Sequence, residues 1–340
     1  VAVAAGPPTR LTMVVQPSAA VASGDVFPQQ PAVQIQDASG NPVSQGGVSV
    51  TASLASGGGT LGGTLVVQTN SSGFATFTDL QITGPAGAHT LQFDAPGLAA
   101  AVSGTVTITS GSPTQLGIVT QPSATASSGA VFTQQPTVQL QDAVGNPVAE
   151  AGRAVTAAVA SGPGATLGGT VTVLTDATGL ARFTNLALTG TSGNYTLGFS
   201  SPGLAGATSA AIALGAGTGN RLAIVTQPSA TASSGSQFAQ QPAIQPQDVA
   251  GNPVATPGVQ VNVSINSGPG GTIFGTRPIS TNPSGQAAFI DLGITGLVGN
   301  YDLVFFAAGF TSPPPSNTIA LSAGTASQIT ANSATAQQDT

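Results

Sequence analysis

The chain has 340 residues, a net charge of −6 and only 5% charged residues, with 40% hydrophobic and 4% aromatic. Cys, Lys and Trp are absent, which excludes disulfides, thiol nucleophiles and cysteine metal sites. The five cations, Arg10, Arg153, Arg182, Arg221 and Arg277, are scattered, so no basic patch exists for nucleic acid or anionic lipid.

Gly 46 and Pro 25 occur without a collagen period, and the apolar residues are phased, which fits many short strands and turns rather than disorder. No apolar stretch approaches the roughly 18–20 residues of a membrane span. Val1-Ala2-Val3-Ala4-Ala5-Gly6 lacks the charged start and apolar centre of a signal peptide.

Taken in order, Val1 and Val3 before Gly6 match Val106 and Ile108 before Gly111, Ile212 and Leu214 before Gly217, and Ile319 and Leu321 before Gly324. Residues 1–9 therefore read as the last strand of a preceding repeat plus a linker. Residues 10–113, 114–219 and 220–326 read as three repeats. Residues 327–340, from Ser327-Gln328-Ile329, read as the opening strand of another.

The first repeat opens with a strand over 11–16 that ends at Gln16-Pro17-Ser18. Gln29-Gln30-Pro31 leads into a second strand, with Val33 and Ile35 inward and Gln34 and Gln36 outward. Next comes Asp37-Ala38-Ser39-Gly40-Asn41-Pro42-Val43, which returns as Asp142 to Val148 and as Asp248 to Val254, at spacings of 105 and 106 residues. Asp and Asn can bond their own backbone two residues on, Gly supplies positive φ and Pro presets its own, so this stretch predicts a tight turn. Val48, Val50, Ala52 and Leu54 then alternate with Ser49, Thr51 and Ser53, the period of a strand with one buried face.

A glycine run (Gly57 to Gly59) precedes a fourth strand near 60–68. A turn at Asn70-Ser71-Ser72-Gly73 leads to a fifth strand through Ala75 and Phe77. The sixth carries His89, Leu91 and Phe93, and the seventh ends at Val106 and Ile108. Seven short antiparallel strands in about 105 residues predict an all-β chain of tandem immunoglobulin-like antiparallel β-sandwiches. Tyr195 and Tyr301 open the sixth strand in the later repeats and suit a tyrosine corner; His89 holds that slot in the first. Pro246 stands mid-strand where Ile35 and Leu140 sit, which predicts a bulge or an unpaired donor side there.

Val138-Gln139-Leu140-Gln141-Asp142 with Gly145-Asn146-Pro147-Val148, and Thr175-Asp176-Ala177-Thr178-Gly179-Leu180-Ala181-Arg182-Phe183, resemble the bacterial Ig-like repeats of invasin/intimin-type surface adhesins and related repeats of very large exported proteins. The resemblance covers all three repeats and the partial ends. It implies an extracellular stalk, fibre or surface array with no enzymatic activity. The scarcity of charge departs from any binding tip that relies on charged residues.

Chemistry finds little to work with. His89 is the only histidine, and it replaces a corner tyrosine rather than standing beside a nucleophile. Asp37, Asp142 and Asp248 are single acids opening turns, whereas calcium needs several convergent oxygens. Asp79, Asn185 and Asp291 share one slot, and an Asp/Asn interchange points to hydrogen bonding rather than charge. Without Lys, Lys–Asn isopeptide crosslinks are excluded, and Gly62-Gly63-Thr64 and Gly162-Pro163-Gly164 lack the lysine of a phosphate loop. Asn70, Asn194 and Asn262 head formal glycosylation sequons, of which only Asn262 is expected to face outward.

No catalytic, cofactor-binding or metal-ligating residue and no cofactor are therefore expected. The expected partners are neighbouring repeats of the same chain, further copies in a fibre or bundle, and a surface glycan or receptor engaged outside this segment. Two alternatives stay open: a carbohydrate- or receptor-binding module, and an appendage of a secreted enzyme.

Overall fold

The computed structural model describes residues 4–325; the strands expected at residues 1–3 and from Ile329 onward lie outside them. Every regular element within that range is a β-strand. In the first repeat these are β1 (Arg10–Val15), β2 (Ala20–Ala22), β3 (Ala32–Gln36), β4 (Ser49–Ser56), β5 (Thr60–Gly62), β6 (Val66–Gln68), β7 (Phe74–Thr76), β8 (Gln81–Thr83), β9 (Gly87–Asp94), β10 (Ala101–Val102) and β11 (Val106–Thr109).

Two sheets face each other: β1-β3-β7, and β2-β11-β9-β4-β6 with β10 added on β9. The same order returns in the other two repeats, without the added edge strand in the third, so the chain is a series of Ig-like sandwiches. The expected fourth strand is broken into β5, which pairs with β8, and β6, which pairs with β4. The chain therefore changes sheets within the stretch read as continuous.

β2 was not legible in the sequence, and it makes a parallel pair with β11. The first strand bulges between Met13 and Val15, and the chain then crosses through Gln16-Pro17-Ser18 to the other sheet. That crossing explains the recurring motif. Gln16 accepts from Gly104 N at 2.8 Å, and Ser18 Oγ accepts from Gln29 N at 2.7 Å. Gln121 and Gln227, and Ser123 and Ser229, repeat both contacts.

Three separate cores follow from the alternation. Each is centred on a tilted phenylalanine pair, Phe77–Phe93, Phe183–Phe199 and Phe289–Phe305, with centroids 5.2, 5.5 and 5.7 Å apart. Fully burying one such ring contributes about 1.5–3 kcal/mol.

Gln34 departs from expectation: it is buried, as are Gln139 and Gln245 in the same slot. The strand lies between two others, and the returning turn covers its outer face. Gln139 Nε2 donates to Val148 O at 3.2 Å and Thr178 O at 3.0 Å, which satisfies an amide that burial would otherwise penalise.

Pro246 keeps the register, opposite Leu222, so no bulge forms at the proline. The cost falls on the donor side. Ile35 N and Leu140 N bond to Gly73 O and Gly179 O at 3.1 and 3.0 Å, bonds a proline cannot make.

The joints between repeats as the candidate functional site

The repeated turn is an anchor as well as a reversal. Asp142 Oδ1 accepts from Val144 N at 3.0 Å and from Asn146 N at 2.9 Å. Its Oδ2 accepts from Asn146 Nδ2 at 2.7 Å and from Gly111 N, in the preceding linker, at 3.0 Å. Asp37 and Asp248 accept the equivalent four bonds, including Gly6 N at 2.8 Å and Gly217 N at 2.7 Å. Four donors on one carboxylate explain how it is buried without a cation.

The same bonds set its acidity. The Asn41 side-chain amide, then Gly6 N–H, hold Asp37 at about 2. For Asp142 and Asp248, burial pushes the pKa up, and the bonds from Gly111 or Gly217 and from the Asn side chain outweigh it, leaving both below the ordinary range.

Asn146 then reaches out of its own sandwich. Its Nδ2 donates to Gly84 O at 3.0 Å, and its Oδ1 accepts from Ala86 N at 2.8 Å, both in the first repeat. Asn252 does the same to the second repeat, donating to Gly190 O at 2.9 Å and accepting from Ser192 N at 2.7 Å. A side-chain amide carries a donor and an acceptor side by side, so it can pair with a carbonyl and an N–H two residues apart.

The receiving loop is held from below. Ser23 Oγ donates to Gly84 O and accepts from Gly84 N, each at 3.1 Å. Tyr195 Oη donates to Thr191 O at 2.6 Å, and Tyr301 Oη lies 2.6 Å from Gly270 O and 2.9 Å from Leu297 O, the corner contact expected of them. Each ring lies flat on a glycine: a Cβ on Gly162 or Gly268 would fall 2.0 or 2.2 Å from the tyrosine Cδ1. His89 fills the slot in the first repeat, with Nε2 2.9 Å from Gly58 O and Nδ1 3.1 Å from Gly87 O. In the second and third repeats the corner tyrosine thus holds the loop at Thr191 and Leu297.

Linker glycines complete the joint. A Cβ on Gly111 would lie 2.6 Å from Ser23 O of the sandwich behind, while its N–H reaches Asp142 of the sandwich ahead. Gly217 is placed alike, 2.3 Å from Ser128 O. At these two glycines the link is docked backbone that leaves no space for a side chain.

The remaining sequence candidates stay apart from the joints. Asp79, Asn185 and Asp291 each accept from a threonine N–H at 2.8 Å, Thr64, Thr170 and Thr276. Arg153 lies one residue before its strand and pairs with Glu150 at 3.1 Å, and Arg182 ends a strand 3.5 Å from Asp176. Among the described residues no three His, Asp or Glu side chains gather where a metal could sit. In the third repeat, Pro313-Pro314-Pro315 replace the short edge strand seen as Ala101–Val102 and Ala207–Thr208 and border a groove of about 480 Å³ beside Arg221.

The sequence singled out the turn but not Asn146 and Asn252 as its contact residues. Bracing the Asp carboxylate already accounts for an Asn in all three copies of the turn, so no separate signal marked its second role.

Comparison with family models agrees with an Ig-like first repeat. A family model described as SMCHD1 Ig-like domain 6 matches residues 6–108. No curated protein matches the chain. Among solved structures, the Escherichia coli adhesin FdeC is 17% identical with a TM-score of 0.32, covering 94% of this chain and all of that one. Invasin, described as a bacterial integrin-binding protein, is 15% identical with a TM-score of 0.31, covering 92% of this chain and 60% of its own. The Yersinia pseudotuberculosis adhesin InvE is 16% identical with a TM-score of 0.26, covering 64% and 66%.

Proposed function

We propose that this chain is a non-catalytic structural segment of a long extracellular surface protein, a stalk of adhesin type. Its repeats are held at fixed attitudes by the asparagine joints. The joint carries the reading: two successive interfaces use the same Asn, the same loop and the same linker glycine, so one attitude is specified at every step. A protein built to place something at a distance needs that property, whereas a string of independently tumbling domains does not show it. The sparse titratable side chains are mostly held in turns or in hydrogen bonds within and between strands, which supports the non-catalytic reading. Bundling of such segments is the further expectation of a surface with so little repelling charge.

The test is deletion of residues 114–219, which joins the first repeat to the third through a link of the same pattern. Small-angle scattering is expected to show a particle shorter by one sandwich, with the remaining two folded. Unfolding of either remaining repeat would refute the segmental reading. Sedimentation at increasing concentration checks the bundling expectation, which fails if the chain stays monomeric throughout.

A further inference from the structure

The 296–299 loop of the third repeat is built like the two receiving loops. Ser234 Oγ donates to Gly296 O and accepts from Gly296 N, each at 3.1 Å. Leu297 N bonds to Gly270 O as Thr191 N does to Gly164 O, and Tyr301 holds Leu297 O from below. The missing part is the asparagine. Among the described residues nothing bonds to the N–H of Val298, which stands where Ala86 and Ser192 stand, and Gly296 O receives no amide. Leu297 and Val298 leave the loop capped by two apolar side chains, 65% and 64% exposed.

Asn41 is the complementary half. It is braced on Asp37 as Asn146 is on Asp142, with Nδ2 donating to Oδ2 at 3.0 Å. Yet it is exposed, whereas Asn146 and Asn252 are only 7% and 4% exposed. The chemistry of the turn is the same in all three, so the neighbouring sandwich accounts for the difference.

We propose that the 296–299 loop is the receiving half of a third joint. Its partner is a further Ig-like repeat bearing an Asp-x-x-Gly-Asn-Pro turn, tethered through the Gly324 link. The proposal rests on the joint reading above. Tethering follows from the glycine. Gly324 already sits against Ser234 O, where a Cβ would be 2.2 Å away, as Gly111 and Gly217 sit against Ser23 and Ser128. In each formed joint that one glycine also donates to the next sandwich's Asp. A free second copy would bring its own Gly6, already bonded to its own Asp37, into the same space. A few hydrogen bonds also fall short of the cost of immobilising a free partner, whereas a short tether raises the local concentration enough for them to suffice.

The experiment doubles the chain, with Gly324 of the first copy followed directly by Pro7 of the second. Spin-label pairs span each joint. The distance distribution across the new joint is expected to be as narrow as that across the Asn146 joint. Asn41→Ala in the second copy should abolish that narrowness at the new joint alone. A broad distribution there, with the Asn146 and Asn252 joints narrow, would overturn this inference and leave the joint reading standing. Breadth at all three would remove the joint reading itself. Sedimentation of the undoubled chain forms the second arm: a head-to-tail dimer lost on Asn41→Ala would make a free copy the partner and overturn the tethered assignment.

Discussion

Asn146 Nδ2 donates to Gly84 O across 3.0 Å, joining two residues sixty-two positions apart in different sandwiches. Asn146→Ala removes this bond and that from Ala86 N, and it strips one donor from Asp142. Each is a neutral or singly charged hydrogen bond contributing about 0.5–3 kcal/mol. The second repeat is therefore expected to lose about 1–3 kcal/mol and stay folded. The first and second repeats should also begin to tumble independently, as read by ¹⁵N relaxation. Unchanged, common tumbling in the variant would show that the joint is held by something else.

The fold was legible because its signals are local and repeated. The period-two runs around Val50 and Val263 give strands, and the Gly-Asn-Pro turns mark where they reverse. β2 and β8 escaped because three residues carry no period, and their pairing is set by distant partners, β11 and β5. The joint escaped for a related reason. Asn146 has one role inside its own turn, which the sequence displays. Its second role depends on the carbonyl of Gly84 and the N–H of Ala86, groups that every residue type supplies and no side chain advertises.

Acid should act on the joints through the carboxylates. A carboxylate whose folded pKa is depressed contributes stability that is fully present above its unfolded value and lost as pH falls through the folded one. Asp37 moves from 3.8 to about 2, and Asp142 and Asp248 also lie below 3.8. Thermal stability is therefore expected to hold from neutrality down to about pH 4 and to fall below it. Asp142→Asn should reduce that acid slope. A stability that rises on acidification below the ordinary carboxyl range would contradict the bonding described for these turns.

Tyr195 offers a way to loosen one joint without touching its Asn. Tyr195→Phe deletes the 2.6 Å bond to Thr191 O, at a cost of about 1 kcal/mol. Because that loop receives Asn252, the second joint should gain mobility while the first keeps its own. Gly162→Ala should cost more, since φ is +143° and the new methyl would lie 2.0 Å from the ring. Equal relaxation changes at both joints would mean that the corner supports the sandwich generally rather than the loop.

Pro246 marks the third repeat as one ladder bond poorer than its neighbours. The pairing of Ala243–Gln247 with Ala287–Ala288 has two residue pairs, against three for β3 with β7. Pro246→Leu restores the residue type of the second repeat, where Leu140 N donates to Gly179 O at 3.0 Å. The returned donor faces Gly285, the counterpart of Gly179, and should contribute about 1 kcal/mol. Against it stands the extra volume of leucine in a packed core, where overfilling costs about 1–3 kcal/mol. Stability alone would mix the two effects, so the decisive measurement is hydrogen exchange at position 246 in the variant. An amide protected as strongly as that of Leu140 means the ladder has been completed, whatever the melting temperature does. An amide exchanging like an open loop would show that the strand cannot use the donor, and that proline is not what shortens the pairing.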